Sequence, residues 1–206
     1  MIDQLSAVAF TAFGAPTTWA ELLGFASGLL CVWLLVRQHI ANWPVGILNV
    51  VLLMIVFWSA GLYADASLQT VYVVLGAYGW WAWLYGGERH GRLVVRTTTR
   101  AEWVMLTVAG VLGTAGLWLF LDRLTGSTVP FADAVTTALS LLATYGQCRK
   151  LVENWWLWIA ADLIYIPLYA YKGLWLTAIL YLAFLTLCVL GLRAWRSALR
   201  PVPVPA

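Results

Sequence analysis

Hydrophobic residues gather along this chain into seven runs separated by short polar breaks, at 19–36, 44–61, 67–86, 103–121, 133–148, 155–171 and 174–192. A helix crosses the apolar core of a bilayer with about 20 such residues. The pattern therefore predicts an all-α membrane protein with seven transmembrane helices. Several runs are short, and the fifth is the least apolar. Upstream, residues 5–13 are too few to span and are expected to form a short interfacial helix within an N-terminal segment, 1–18. The first residues, Met1-Ile2-Asp3-Gln4, lack a basic start, so no cleaved signal peptide is expected. The Pro-rich end of the tail, 196–206, reads as disordered.

The runs repeat. A shift of 112 places lays Ala26 on Ala138, Leu29-Leu30 on Leu141-Leu142 and Arg37 on Arg149. It also lays Asn42-Trp43 on Asn154-Trp155, Ile47 on Ile159, Gly61-Leu62 on Gly173-Leu174, Gly79 on Gly191 and Ala82-Trp83 on Ala194-Trp195. Matched Leu and Ala are cheap in an apolar chain, whereas matched Arg, Asn-Trp and Gly…Ala-Trp are not. Each repeat holds three runs, 19–86 and 133–195, and the run at 103–121 joins them. The expected plan is three plus one plus three, with the joining helix restoring the second repeat to the orientation of the first. The repeats are then parallel, related by an axis along the membrane normal. The joining run carries Gly110, Gly113 and Gly116, a small-residue stripe suited to close helix packing.

Composition agrees: 63% of the 206 residues are hydrophobic and 10% charged, against about 25% charged in a soluble domain. Of the 12 Lys and Arg, only Arg123 and Lys172 fall on one side of the seven runs. The other ten lie on the opposite side, four of them in the basic loop 87–102. Positive residues mark the cytoplasmic side, so the N-terminus is expected outside and the C-terminus inside, in a bacterial inner membrane. The net charge of +3 is spread as membrane loops require and does not point to nucleic acid. Cys31, Cys148 and Cys188 all fall in apolar runs and read as packing residues.

Polar side chains facing lipid are costly, so polar stripes mark an interior path. On the fifth run Asp133, Thr137, Ser140, Thr144 and Gln147 share one helical face. Thr137 and Ser140 suit interhelical hydrogen bonds as well as a path, while Gln147 is larger and harder to satisfy. On the sixth run Trp155, Trp158, Asp162, Tyr165 and Tyr169 form the sharpest stripe, two indoles followed by a carboxylate and two phenols. Trp155 alone also suits an interfacial belt. Gln69, Tyr72, Gly76, Trp80 and Trp83 share a face of the third run, and Thr177, Tyr181, Phe184 and Cys188 a face of the seventh. Asn49 enters the second run, and Asn42 and Asn154 are expected to cap the helices that follow them. His39 and His90 lie in loops far from Asp162, and no metal spacing, phosphate loop or nucleophile elbow is present. Neither a cofactor nor catalysis is expected. Rings, amides, hydroxyls and one acid suit a flat, cationic, polyhydroxylated ligand.

The segments Glu153-Asn154-Trp155-Trp156-Leu157-Trp158-Ile159-Ala160-Ala161-Asp162 and Tyr171-Lys172-Gly173-Leu174-Trp175-Leu176-Thr177-Ala178-Ile179-Leu180-Tyr181 resemble the PnuC family of bacterial nicotinamide riboside transporters. Asn42-Trp43-Pro44 and Gly76-Ala77-Tyr78-Gly79-Trp80-Trp81-Ala82-Trp83 resemble it too. The resemblance covers most of residues 19–195. It implies a SWEET-like three-plus-one-plus-three fold and a vitamin site between the two three-helix bundles. It also implies facilitated diffusion with trapping by cytoplasmic phosphorylation, and homotrimers as an assembly. Relatives of this shape carry thiamine or riboflavin, and both ligands stay open, as does proton coupling through Asp162. Motif identity brings Trp155, Trp158 and Asn154 forward as site residues; Gln69, Tyr72, Asn49 and Gln147 rest on the stripes.

Overall fold

The computed structural model describes residues 7–12, 15–59, 63–124, 129–171 and 173–199. Among these the chain forms seven α-helices: α1 Trp19–Val36, α2 Asn42–Ser59, α3 Tyr63–Tyr85, α4 Arg100–Leu124, α5 Pro130–Cys148, α6 Asn154–Tyr171 and α7 Trp175–Ser197. By length and apolarity alone, α4 and α7 are long enough to cross a membrane, with 24 and 23 apolar-rich residues. The apolar parts of α1 and α2 are shorter, Glu21–Val36 and Asn42–Ile55.

The expected interfacial helix at 5–13 is not formed. Its described part is a strand, β1 Val8–Ala12, paired antiparallel with β2 Ala15–Thr18. Val8, Phe10 and Thr11 favour extended backbone, and so short a segment gains too few hydrogen bonds to nucleate a helix. The hairpin delivers Thr18 to the head of α1, where its hydroxyl accepts the Glu21 amide while the Glu21 carboxylate accepts the Thr18 amide. The expected disorder at 201–206 and the matched Gly61-Leu62 lie outside the described residues.

Six helices close a ring. Helix α2 packs on α1 and α3, and α6 packs on α5 and α7; the ring closes through α3 on α5 and α7 on α1. Helix α4 leans on α5 outside the ring and leaves Val104, Val108, Val111, Leu112 and Phe120 exposed. Its glycine stripe is used only in part. A Cβ on Gly110 would lie 3.0 Å from Leu142, but Gly113 and Gly116 meet nothing within 4 Å.

The internal repeat is visible in atomic contacts. At the turn between α1 and α2, Gln38 has φ +53°; at the turn between α5 and α6, its counterpart Lys150 has φ +50°. The His39 amide donates to Leu34 O and the Leu151 amide to Gly146 O, both at 2.9 Å. Asn42 and Asn154 do not cap the following helices as expected. Their amide nitrogens donate back to His39 O and Leu151 O, closing the two turns. Next to them, Trp43 and Trp155 are 4% and 0% exposed. Each indole lies flush on a glycine: a Cβ on Gly79 would meet Trp43 at 2.1 Å, and one on Gly191 would meet Trp155 at 2.4 Å. No larger residue fits either place without displacing a buried ring.

Two more tryptophans join these across the ring. Trp43–Trp83 and Trp155–Trp195 are both edge-on at 5.4 Å and 90°, and Trp83–Trp195 meet between them at 6.0 Å. The Trp83 indole donates to Gln147 O at 3.0 Å, and the Trp195 indole donates to Leu35 O at 3.2 Å. These two bonds are each other's repeat mates, and each links one half of the ring to the other.

The basic loop 87–102 is a docked strap. The Leu93 amide donates to Trp83 O, the Arg96 amide to Lys150 O, and the Val152 amide to Arg96 O. Val95 is buried among the tryptophans. The Glu153 carboxylate accepts the Thr98 amide at 3.0 Å and its hydroxyl at 2.7 Å. Arg96 binds both oxygens of Glu102, which also closes a capping box with Thr99 at the head of α4. Lys150, on the turn beneath, holds its ammonium 4.2 Å from the centre of the Trp83 ring and donates to Gln38 Oε1 at 3.3 Å. Burial, and then the nearby Arg92, lower its pKa to about 8.

Two outcomes follow. Gly191→Ala should cost about 1–3 kcal/mol, because the methyl must displace the Trp155 ring. Gly113→Ala should be neutral or stabilising by up to about 1 kcal/mol. Thermal melting of the purified protein in detergent separates the two, and equal melting temperatures would deny the glycine seat its structural role. For Lys150 the folded pKa is lowered, so between about pH 8 and the ordinary lysine range, about 10.4, the unfolded chain binds more protons than the folded one. Stability contributed through this group therefore rises with pH across that window. Lys150→Met should flatten that rise in melts recorded against pH, and an unchanged slope would remove Lys150 as its source.

Candidate functional site

The tryptophan layer fixes which helical faces point inward. On α6 the stripe that begins with Trp155 continues through Trp158, Asp162, Tyr165 and Tyr169. On α7 the stripe that includes Trp195 holds Cys188, Phe184 and Tyr181, and on α3 the stripe of Trp83 holds Gly76, Tyr72 and Gln69. Those stripes on α3 and α7 are repeat mates, position for position. They face the interior of the ring, its lumen, with the four indoles packed across one end as a floor.

Above the floor, Asp162 is 3% exposed and accepts a hydrogen bond from the Cys188 thiol at 3.5 Å. One turn nearer the floor, the buried Trp158 indole N–H meets no acceptor. At the next level Tyr72 and Ser140 share a hydrogen bond of 2.8 Å between α3 and α5. Its repeat mate is apolar: Phe184 of α7 packs against Gly28 of α1, where a Cβ would stand 3.3 Å from the ring. Farther from the floor, Tyr165, Tyr169 and Tyr181 gather with ring centres 4.8 to 5.5 Å apart, and Phe184 stands edge-on to Tyr181 at 5.6 Å. The lumen is thus walled by rings, with one carboxylate low on the α6 side.

The structure brings together Trp158, Asp162, Tyr165, Tyr181 and Tyr72 of the sequence-expected site. It puts Trp155, Asn154 and Gln147 in the floor. Trp155 is enclosed by Gly191 and Trp195. Asn154 is 1% exposed beside Gly146, and its side-chain oxygen has no partner. Gln147 reaches Asn42 Oδ1 at 3.5 Å, across the two halves. The Asn49 amide is spent within the first half, on Gly24 O at 3.0 Å and the Ser27 hydroxyl at 2.6 Å. Gln69 is half-buried at the far end of the α3 stripe. Sequence reasoning missed Glu153 as the anchor of the strap, since its partner Thr98 is 55 residues away. It also passed over the contact of Phe184 with Gly28, the repeat mate of a Tyr72–Ser140 pair that the stripes did not bring together. Among the described residues no group of three or more metal-ligating side chains occurs. A separate groove of about 460 Å³ lies outside the ring between α4 and α5, lined by Trp103, Thr107, Gly110, Trp118 and Phe131 among others. Its lining is almost wholly apolar, with Thr107 and Thr114 contributing the hydroxyls.

Six helices thus turn a group of aromatic rings and one carboxylate toward the inside of a ring. A family model described as Nicotinamide mononucleotide transporter matches residues 18–197. The chain belongs to that family. It is similar to the nicotinamide riboside transporter PnuC of Escherichia coli (strain K12), with 27% identity over 212 residues, 91% of this chain and 89% of that protein. It is also similar to the riboflavin/roseoflavin transporter RibM of Streptomyces davaonensis, with 30% identity over 208 residues, 98% of this chain and 97% of that one. Among solved structures, the crystal structure of the Vitamin B3 transporter PnuC superposes with a TM-score of 0.69 at 25% identity, covering 87% of this chain and 81% of that one. The family makes this a multi-pass membrane transporter.

If a ligand ring stacks on Trp158, Trp158→Ala should weaken its binding by about 1–3 kcal/mol. Trp155→Phe should instead lower the melting temperature, since it changes the floor. Calorimetric titration beside thermal melting reads both, and an unchanged affinity in a folded Trp158→Ala protein would move Trp158 to a packing role.

Proposed function

We propose that this protein carries nicotinamide riboside into the cell by facilitated diffusion, with phosphorylation in the cytoplasm trapping the riboside. The observation that carries the reading is the α6 stripe, where Trp158 and Asp162 face the lumen directly above its floor. A flat pyridinium ring finds there both a π-face and a carboxylate, and the tyrosine and serine hydroxyls above suit a ribose. The PnuC relatives support this choice of cargo. The reading includes a three-plus-one-plus-three arrangement of spans in a bacterial inner membrane, with α4 as the joining helix. It also places the N-terminus outside and the C-terminus inside, on the strength of the Arg and Lys asymmetry. Homotrimeric assembly is part of it.

A second reading, riboflavin as cargo, is favoured by the RibM likeness, which runs over almost the whole chain. Titration of the purified protein with nicotinamide riboside, thiamine and riboflavin decides between them. The riboside should bind at least about tenfold more tightly than riboflavin, a difference of about 1.4 kcal/mol; the reverse order would replace the cargo. Uptake into right-side-out protein-only vesicles should reach equilibrium and stop. Accumulation driven by an imposed pH gradient would overturn facilitated diffusion in favour of proton coupling through Asp162. In the same vesicles a cysteine placed at Asp3 should label from outside.

A further inference from the structure

The two halves of the ring share the residues that build it and differ in the residues that face its lumen. Shared are Asn42 and Asn154, Trp43 and Trp155, Gly79 and Gly191, and Trp83 and Trp195. These close the turns, seat the indoles and seal the floor. Above the floor the match ends. Opposite Trp158, Asp162 and Tyr165 on α6, the first half has Gly46, Val50 and Leu53 on α2. Opposite Ser140 and Thr144 on α5 it has Gly28 and Val32 on α1. The first half builds the same helices and turns with apolar residues at these places. The fold therefore does not require the polar ones, and the first half's own Ser27 and Asn49 are bonded to each other.

Two of the polar groups in the second half are also left without a matching partner. The hydrogen bond to Asp162 comes from a thiol, a weak donor. The ion pair found among the described residues, Arg96 with Glu102, lies on the strap. The Trp158 indole N–H, four residues away on the same stripe, has no acceptor, a state it shares with Trp43 and Trp155, which unlike it are enclosed in the floor. A carboxylate held out of water calls for a cation, and aromatic faces around it strengthen the attraction to a flat one.

We propose that the cargo is bound off the two-fold axis by one half of the lumen, α5, α6 and α7 together with Tyr72, and that Asp162 selects a planar aromatic cation by pairing with its charge. The proposal rests on the riboside reading and deepens it: Asp162 distinguishes a charged pyridinium from a neutral ring of the same outline. Val50, in the same place on the other half, takes no part.

Oxidised nicotinamide riboside is a cation, and its dihydro form is neutral with the same substituents. Both are titrated against the full-length protein in detergent. The unaltered protein should bind the oxidised form at least about tenfold more tightly, the lower range for a close desolvated charge pair. Asp162→Asn should bring the two forms to within about threefold by weakening the cation alone. Asp162→Glu should keep the preference, and Val50→Ala should leave both affinities unchanged. Equal binding of the two forms by the unaltered protein overturns the proposal without any variant having to fold, and leaves the riboside reading standing. A preference that survives Asp162→Asn, or a Val50→Ala protein that loses binding as Asp162→Asn does, overturns it as well. Binding of riboflavin and of neither riboside form would overturn both readings together.

Discussion

An indole laid flush on a glycine, once in each half, is the contact on which the other features of this protein depend. Trp43 on Gly79 joins α2 to α3, and Trp155 on Gly191 joins α6 to α7. Each contact sets the inward direction of two helices at once, because a residue seven places along from a buried indole lies on the same face. That is why Asp162 faces the lumen: it stands seven residues from Trp155, as Cys188 stands seven from Trp195. The turns that lead into α2 and α6 serve the same contact. Their left-handed residues, Gln38 and Lys150, swing the chain back, and the asparagine amides hold it closed.

The two seams between the halves are not equal, although the repeat makes them alike in outline. The α3–α5 seam holds the Tyr72–Ser140 and Trp83–Gln147 hydrogen bonds, a bond from the Cys148 thiol to Leu75 O at 3.3 Å, and one from Arg149 to the Tyr78 hydroxyl at 3.4 Å. The strap crosses there too, pinned by Glu153. At the α1–α7 seam the Trp195 bond to Leu35 O is joined by the packing of Phe184 on Gly28. The α3–α5 bonds join residues 64 to 73 positions apart, and the Trp195–Leu35 bond joins residues 160 apart.

The helices and the repeat were legible in the sequence because each depends on a local or a periodic signal. Hydrophobic runs report burial in lipid directly, and matched Asn-Trp and Gly-Leu pairs survive in a chain rich in Leu. What the sequence did not reveal depends on partners far apart. Trp155 read as a belt or ligand residue because its seat, Gly191, lies 36 residues on, in another helix. Asn42 and Asn154 read as caps because the left-handed turn before them is built on Gln and Lys, residues that rarely mark one. The interfacial helix was expected from apolarity alone, and β-branched and aromatic residues in a short segment turned it into a hairpin strand. Of the polar stripe on α5, Ser140 and Gln147 form bonds across the halves, a distinction that helical spacing cannot make.

The magnitudes differ within the halves and between them. Within each half, an indole fills the space over a glycine completely, and removing so large a buried ring costs about 3–5 kcal/mol. Between the halves, the floor is joined by two indole hydrogen bonds, one tilted indole pair, the Gln147–Asn42 and Lys150–Gln38 hydrogen bonds, and Lys150 over the Trp83 ring. Each of the neutral ones is worth about 0.5–1.5 kcal/mol. Within a half a single large contact dominates, whereas between the halves the contacts are individually small and many. The repeat uses one packing solution twice within the halves and supplies the matched indole bonds between them, and the α3–α5 seam adds bonds that the other seam lacks.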